Sequence, residues 1–310
     1  TATLAGDTMG THYRVNVVAP RHSEQDLQAG IEQRLDEVDA AMSTWRADSE
    51  LSRFNAQAVT DWVAVSPALH VVLQTAAAIS EITDGAFDVT VGPLVNLWGF
   101  GPDRRPSAPP ADTALAAARA RVGHRLLHLA DAPPRVRKDR GDVYVDLSAI
   151  AKGYAVDRVA DWLAATGYRD FLVEVGGEIR SRGRRADGSP WQVGVAWPDA
   201  GSADVARVLP LGDTALATSG DYRQYFEFAG RRYSHEIDPV TGRPIAHALA
   251  SVTVLDAACM RADALATGLL VLGPERGPAL ARRLGISALF LVHRESGFQS
   301  ITTGAFPPAQ

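Results

Sequence analysis

Asp263 and Thr267 stand four residues apart in Ala262-Asp263-Ala264-Leu265-Ala266-Thr267. In a helix that spacing puts a carboxylate and a hydroxyl on one face, one turn from each other. The stretch runs on into Leu269, Leu270 and Leu272, which belong in a core. Two oxygen donors at the start of a buried helix suit a hard cation such as Mg²⁺ better than zinc, which prefers nitrogen and sulfur. The same pair is also compatible with a purely structural use. Asp263 would then complement the helix dipole and Thr267 would bond to a backbone carbonyl.

Three further stretches place polar groups where chemistry is possible. Val145 to Tyr154 reads as a strand end, a turn of small residues and a helix start, with Lys152 in its first turn. Unpaired amides and a positive dipole end could receive a phosphate there, although the glycine spacing is not that of a Walker motif. Thr218 to Tyr222 is followed by Ser234 to Gly242, in which Asp238-Pro239 and Thr241-Gly242 are turn chemistry. His235, just ahead of that turn, could exchange a proton near neutral pH or serve as a hydrogen-bonded structural residue. In Thr83 to Leu94, alternation places Asp88 and Thr90 on one strand face and Phe87, Val89 and Val91 on the other. Trp98 and Phe100 beyond it could stack on a flat ring or pack in a core.

The elements that must hold these groups follow from periodicity and punctuation. Tyr13, Val15 and Val17 alternate in a strand over 11–18. Ser23 caps a helix whose stripe is Leu27, Ile31, Leu35, Val38 and Met42, and Ser66-Pro67 opens another that stops at Asp84-Gly85. Pro102 to Pro110 reads as a loop and 111–122 as a helix. A strand over 143–147, a helix over 149–165, a strand over 171–175 and a Gly176-Gly177 turn come next. Strands over 192–197, 215–218, 225–228, 232–237 and 250–255 then follow one another. Helices over 261–272 and 274–284 precede a last strand pair, 288–293 and 298–301. Interleaved helices with runs of consecutive strands predict an α+β fold of mixed, largely antiparallel sheets with packed helices. No linker divides the chain, which is expected to form one continuous unit over 1–310.

Composition narrows the function classes. Hydrophobic residues make up 46% and charged residues 22%, as in an ordinary globular protein. The net charge of -5 does not favour a nucleic-acid backbone as partner. The single cysteine, Cys259, excludes an internal disulfide and a cysteine metal cluster, and is expected to be a small buried hydrophobe. No segment reaches the ~18 apolar residues that span a bilayer.

Taken together and in order, these stretches resemble the ApbE family of FAD:protein FMN transferases. The resemblance is carried by Thr8-Met9-Gly10-Thr11, by Met42 to Trp45 with Ser49 to Asn55, and by Gly85 to Leu94. It continues through Asp146 to Asp157, Val175 to Glu178, Ala217 to Tyr222, Ser234 to Gly242 and Ala262 to Thr267. It implies that Asp263, Thr267 and the backbone carbonyl of Ala149 ligate Mg²⁺. It further implies a flavin site that includes Met9, Ser43, Thr44, Trp45, Asp88, Lys152, Ser219, Gly220 and Ile237, with His235 near the reacting phosphate. One departure is Glu236, where the family often has an aliphatic residue. Strand alternation would point it away from His235 toward solvent.

The implied reaction is attack by a serine or threonine hydroxyl of a target protein, typically a membrane redox subunit, on the FMN-side phosphorus of FAD. AMP would leave. A Mg²⁺-dependent FAD pyrophosphatase and a flavin carrier without turnover are the alternatives. The resemblance, the single cysteine and a chain starting at Thr1 without methionine together suggest an exported, periplasmic enzyme, lipid-tethered in one form. A cytoplasmic enzyme is the alternative.

Overall fold

The computed structural model describes residues 1–102, 108–198, 205–222 and 225–307. Its centre is an eight-stranded sheet in which every pairing is antiparallel. The strands, in chain order, are β1 (Ala2–Thr8), β2 (Thr11–Val17), β3 (Phe171–Val175), β4 (Glu178–Arg182), β5 (Thr214–Gly220), β6 (Leu249–Asp256), β7 (Ser287–His293) and β8 (Phe298–Thr303). Their order across the sheet is the same as along the chain. Two-residue turns close β1 to β2 at Met9-Gly10 and β3 to β4 at Gly176-Gly177, all four residues having positive φ.

One face of the sheet is covered by helices, chiefly α1 (Glu24–Met42), α6 (Ala151–Ala165) and α7 (Cys259–Leu284). The shorter α2 (Glu50–Ala56), α3 (Pro67–Ile82), α4 (Gly92–Leu97) and α5 (Asp112–Arg119) extend this side. The expected stripe of α1, from Leu27 to Met42, is buried. Ser23 and Ser66 accept from the amides of Asp26 and Leu69, as their cap positions require. The opposite face buries Leu172, Leu216 and Leu289 against Trp191 and Val193 of a separate hairpin, Trp191–Ala196 with Val205–Leu211.

Helices α6 and α7 lock each other's first turns. Neither has a side-chain cap of its own at Ile150 or Ala258. Instead Asp157 of α6 accepts from the amides of Cys259 and Met260 at 3.0 and 2.9 Å, opening α7. Asp263 of α7 accepts from the amide of Gly153 in the first turn of α6 at 3.0 Å. Caps of this kind contribute about 1 kcal/mol each. The approach requires glycine at 153, because a Cβ there would lie 2.5 Å from the Cys259 carbonyl oxygen and 2.8 Å from Asp263 Cβ. Cys259 is fully buried, as expected of it.

Several expectations need correction. Residues 143–147 form no strand and pair with none among the described residues. The Asn55 side chain pairs with both the amide and the carbonyl of Val145, each at 2.8 Å, and so replaces one. Helix α6 starts at Ala151 rather than at 149. The two expected C-terminal helices are present, since α7 is divided at Gly273, whose backbone is non-helical at φ 83° directly ahead of Pro274. The strand over 232–237 is broken into Arg231–Ser234 and Ile237–Asp238. Strands β1 and β4 and helix α2 have no counterpart among the elements expected from the sequence. Part of the Pro102–Pro110 loop lies outside the described residues.

Replacing Gly153 with alanine should therefore destabilise the fold by ~1–3 kcal/mol, the usual cost of overpacking. Urea unfolding measures this directly. An unchanged midpoint would show that α6 and α7 do not need the close approach.

Candidate active site

The α6–α7 crossing delivers its polar groups to the sheet end where β1, β3 and β5 finish. Asp263 is buried, with one carboxylate oxygen fixed by the Gly153 amide. One turn later the Thr267 hydroxyl lies 2.9 Å from that of Ser219 on β5. The Gly153 amide is the donor that an uninterrupted helix would give to the Ala149 carbonyl. Because it goes to Asp263, no hydrogen bond within the described residues reaches that carbonyl. The Gly153–Asp263 bond sets Asp263 against the first turn of α6, at a residue two after the α6 start and four after Ala149, and Thr267 follows one turn later on α7.

This donor set fits Mg²⁺. It is all oxygen and carries one charge, and among the described residues no group of three or more His, Cys, Asp or Glu could hold a metal. A cation that keeps waters and shares substrate phosphate oxygens matches so sparse a set, whereas zinc does not.

Lys152 joins the same group. Its ammonium lies 3.1 Å from the buried Glu178 carboxylate, so it is an oriented, charge-balanced cation rather than a bare one. Its stem and Thr11 crowd the Gly176 turn, which brings the Met9-Gly10 turn alongside. Gly220 is also constrained, since a Cβ there would collide with the Tyr222 ring. Burial pushes the Asp221 carboxyl up, and the charges of His293, Arg232, His247 and His235 oppose that shift.

A second group forms around Asp88. The expected strand is a 3-10 turn, Val89–Val91, with Asp88 as its cap. One Asp88 oxygen accepts from the Thr90 amide and hydroxyl at 2.8 and 2.6 Å, and the other from the His124 amide at 2.7 Å. Asp88 and Thr90 therefore bond to each other instead of facing a ligand together. Asp88 still lines a cleft of about 500 Å³ with Arg119, His124, Pro239 and Val240. The Asp146 amide donates to the Val89 carbonyl at 2.7 Å, which ties this turn to the one carrying Ala149.

His235 and Ile237 lie in the segment that leads into Pro239 and Val240 of this cleft. Ile237 is buried with Leu94 and Trp98. Trp98, 1% exposed, donates to the Gly242 carbonyl at 2.8 Å and stacks on Tyr233, so it packs in a core and is not offered to a ring. The His235 ring meets Phe100 edge-on at 6.2 Å. Glu236 corrects the expectation made of it. Its side chain is only 11% exposed and its carboxylate lies 3.5 Å from His235 Nε2.

Ser43, Thr44 and Trp45 form the corner after α1. The Ser43 hydroxyl accepts from the amides of Trp45 and Arg46 at 3.1 and 3.2 Å, which leaves Trp45 70% exposed. No described bond ties this corner to Asp263. Sequence reasoning assigned no role to Glu178, Gly153, Asp157 or Asn55. Glu178 alone had a local signal, as a carboxylate directly after the Gly-Gly turn.

A model of the ApbE family matches residues 9–290, most of the chain. The chain belongs to the ApbE family. Among relatives, the FAD:protein FMN transferase of Vibrio cholerae serotype O1 is 48% identical over 307 residues, 98% of this chain and 91% of the relative. That of Escherichia coli K12 is 41% identical, covering 96% and 86%. The solved flavin transferase ApbE from Vibrio cholerae superposes with a TM-score of 0.92 at 46% identity, covering 98% of this chain and 97% of the other. The expected α+β architecture is that of the ApbE structures.

The Asp88 carboxylate beside His124 holds its imidazole above the usual 6.5, against burial. A base whose value is raised by folding adds stability that is complete below its unfolded value and disappears as pH rises through the folded one. Melting temperature should fall from pH 6 to 8.5 more steeply in the wild-type protein than in His124→Gln. Parallel slopes would remove His124 as the cause.

Proposed function

We propose that this chain transfers the FMN half of FAD to a serine or threonine hydroxyl of a partner protein, releasing AMP. The observation that carries this reading is similarity over nearly the whole chain to proteins named FAD:protein FMN transferase. The acceptor oxygen bonds to the FMN-side phosphorus, the bond from that phosphorus to the bridging oxygen breaks, and AMP departs with that oxygen. His235 takes the hydroxyl proton, and Glu236 beside it steadies the imidazolium. Phosphoryl transfer depends mainly on in-line positioning and charge neutralisation. Asp263, Thr267 and the Ala149 carbonyl would hold Mg²⁺, which when bound neutralises pyrophosphate charge. Lys152, fixed by Glu178, adds an oriented cation at the same sheet end. Trp45, exposed on its corner, supplies a face for the flavin ring.

We also propose a periplasmic enzyme, lipid-tethered in one form, acting on a membrane redox subunit. The fully buried Cys259, the chain's single cysteine, supports this because it leaves no exposed thiol to oxidise. Fractionation of cells producing the natural gene product tests the location, and a cytoplasmic pool alone would overturn it.

Incubation with FAD, Mg²⁺ and an acceptor protein, read by intact mass, tests the reaction. The acceptor should gain one FMN less water. AMP release at full rate with no gain would make the enzyme a pyrophosphatase. Asp263→Ala should abolish Mg²⁺-dependent turnover and the stabilisation that Mg²⁺ gives the wild-type fold; retention of both would sink the metal assignment. His235→Asn should slow transfer by ~10²–10⁴-fold at unchanged FAD affinity, the range of a positioned general base. Near-normal transfer would leave the proton to a carboxylate.

A further inference from the structure

The chain reaches His235 through an isolated hairpin, Tyr225–Phe228 with Arg231–Ser234, that joins no other strand among the described residues. Its register pairs Phe228 with Arg231 across a two-residue turn, Ala229-Gly230, at φ 50° and 74°. The pair closing such a turn is hydrogen-bonded, so at the next pair, Glu227 and Arg232, the amides and carbonyls point outward. The Arg231–Ser234 strand thus presents an edge that no strand among the described residues pairs with; it is exposed at Arg231 and Arg232 and runs into the buried Ser234, directly ahead of His235.

Its arginines are oriented by aromatic rings. The Arg232 guanidinium lies 3.6 Å from the centre of the Tyr225 ring on one face of the hairpin, and that of Arg231 lies 5.2 Å from Tyr233 on the other. Stacking restrains a guanidinium while leaving its donor edge exposed. Neither forms an ion pair among the described residues, although Glu227 stands opposite Arg232 and the charge of Arg232 acts on Asp221 through space. In a chain of net charge -5, this is a cationic strand edge leading into the proposed base.

We infer that this edge receives the acceptor protein as an extended, acidic segment added in strand fashion, with one arginine on each of its faces. The inference rests on the transferase reading, which requires a polypeptide to approach His235. Strand addition supplies main-chain hydrogen bonds for affinity and flanking charges for selectivity. It would hold the hydroxyl-bearing residue in extended backbone beside the imidazole.

The test uses two fluorescent peptides of equal length with a central threonine, one flanked by Asp and Glu and one by Lys. Fluorescence anisotropy with the full chain should detect binding of the acidic peptide only. Binding should weaken about tenfold in R231Q/R232Q, the combined worth of two surface ion pairs. N-methylation of alternate backbone amides should weaken it as well. The variant should keep the wild-type melting temperature and FAD affinity. The inference is overturned by equal binding of both peptides, by no binding to the wild type, or by indifference to the arginines or to N-methylation. It is also overturned if the substitutions abolish a concentration-dependent dimer, which would give the edge to a second copy of this chain. If the wild type binds the acidic peptide yet transfers FMN to no acceptor, the transferase reading fails and the docking surface stands. If transfer proceeds at the wild-type rate in R231Q/R232Q, the docking surface fails and the transferase reading stands.

Discussion

Two buried carboxylates cross in opposite directions between α6 and α7. Asp157 takes the first amides of α7, and Asp263 takes the amide of Gly153 in the first turn of α6. Each helix start therefore gives one or two of its amides to a carboxylate of the other helix, which fixes their separation and axial register. Burial pushes the Asp157 carboxyl up, while the amides of Met260 and Cys259 and the Arg180 guanidinium favour the anion. Removing either carboxylate would expose a helix start as well as lose a bond.

The proposed metal site would follow from that lock. With the Gly153 amide committed to Asp263, the Ala149 carbonyl lacks its helical donor, and the Thr267 hydroxyl meets Ser219 one turn along α7. The antiparallel sheet contributes the rest through its turns. Strands that follow chain order bring the Met9-Gly10 and Gly176-Gly177 turns to the end where Ser219 and Gly220 close β5. Lys152 and Glu178 bridge from helix to sheet at that end.

The flanking elements are tied to the crossing by side chains that substitute for backbone. Asn55 serves both polar groups of Val145, and the buried Lys138 donates to the carbonyls of Phe54, Gln57, Gly141 and Val143, a position in which burial lowers its pKa. Together they hold the extended segment that leads into the Asp146–Ala149 turn. Asp88 does the same for the turn at Val89.

The sequence by itself determined what is local. The stripe of α1, the caps at Ser23 and Ser66, the helix carrying Asp263 and Thr267 and the turn glycines all follow from spacing and cap chemistry within a few residues. The tertiary structure decided which polar groups are used on one another. Asp88 and Thr90 alternate as a strand would, yet a bond between them and another from the His124 amide make a capped turn. Val143 to Leu147 has strand residues but finds a side-chain amide, 90 positions away, where a strand would be. Glu236 turns toward His235 because its strand breaks before it, so alternation no longer applies. Residues as distant as Gly153 and Asp263 share no periodicity that a one-dimensional reading could detect. Their pairing arises only when two apolar helix faces pack closely enough for a missing Cβ to matter.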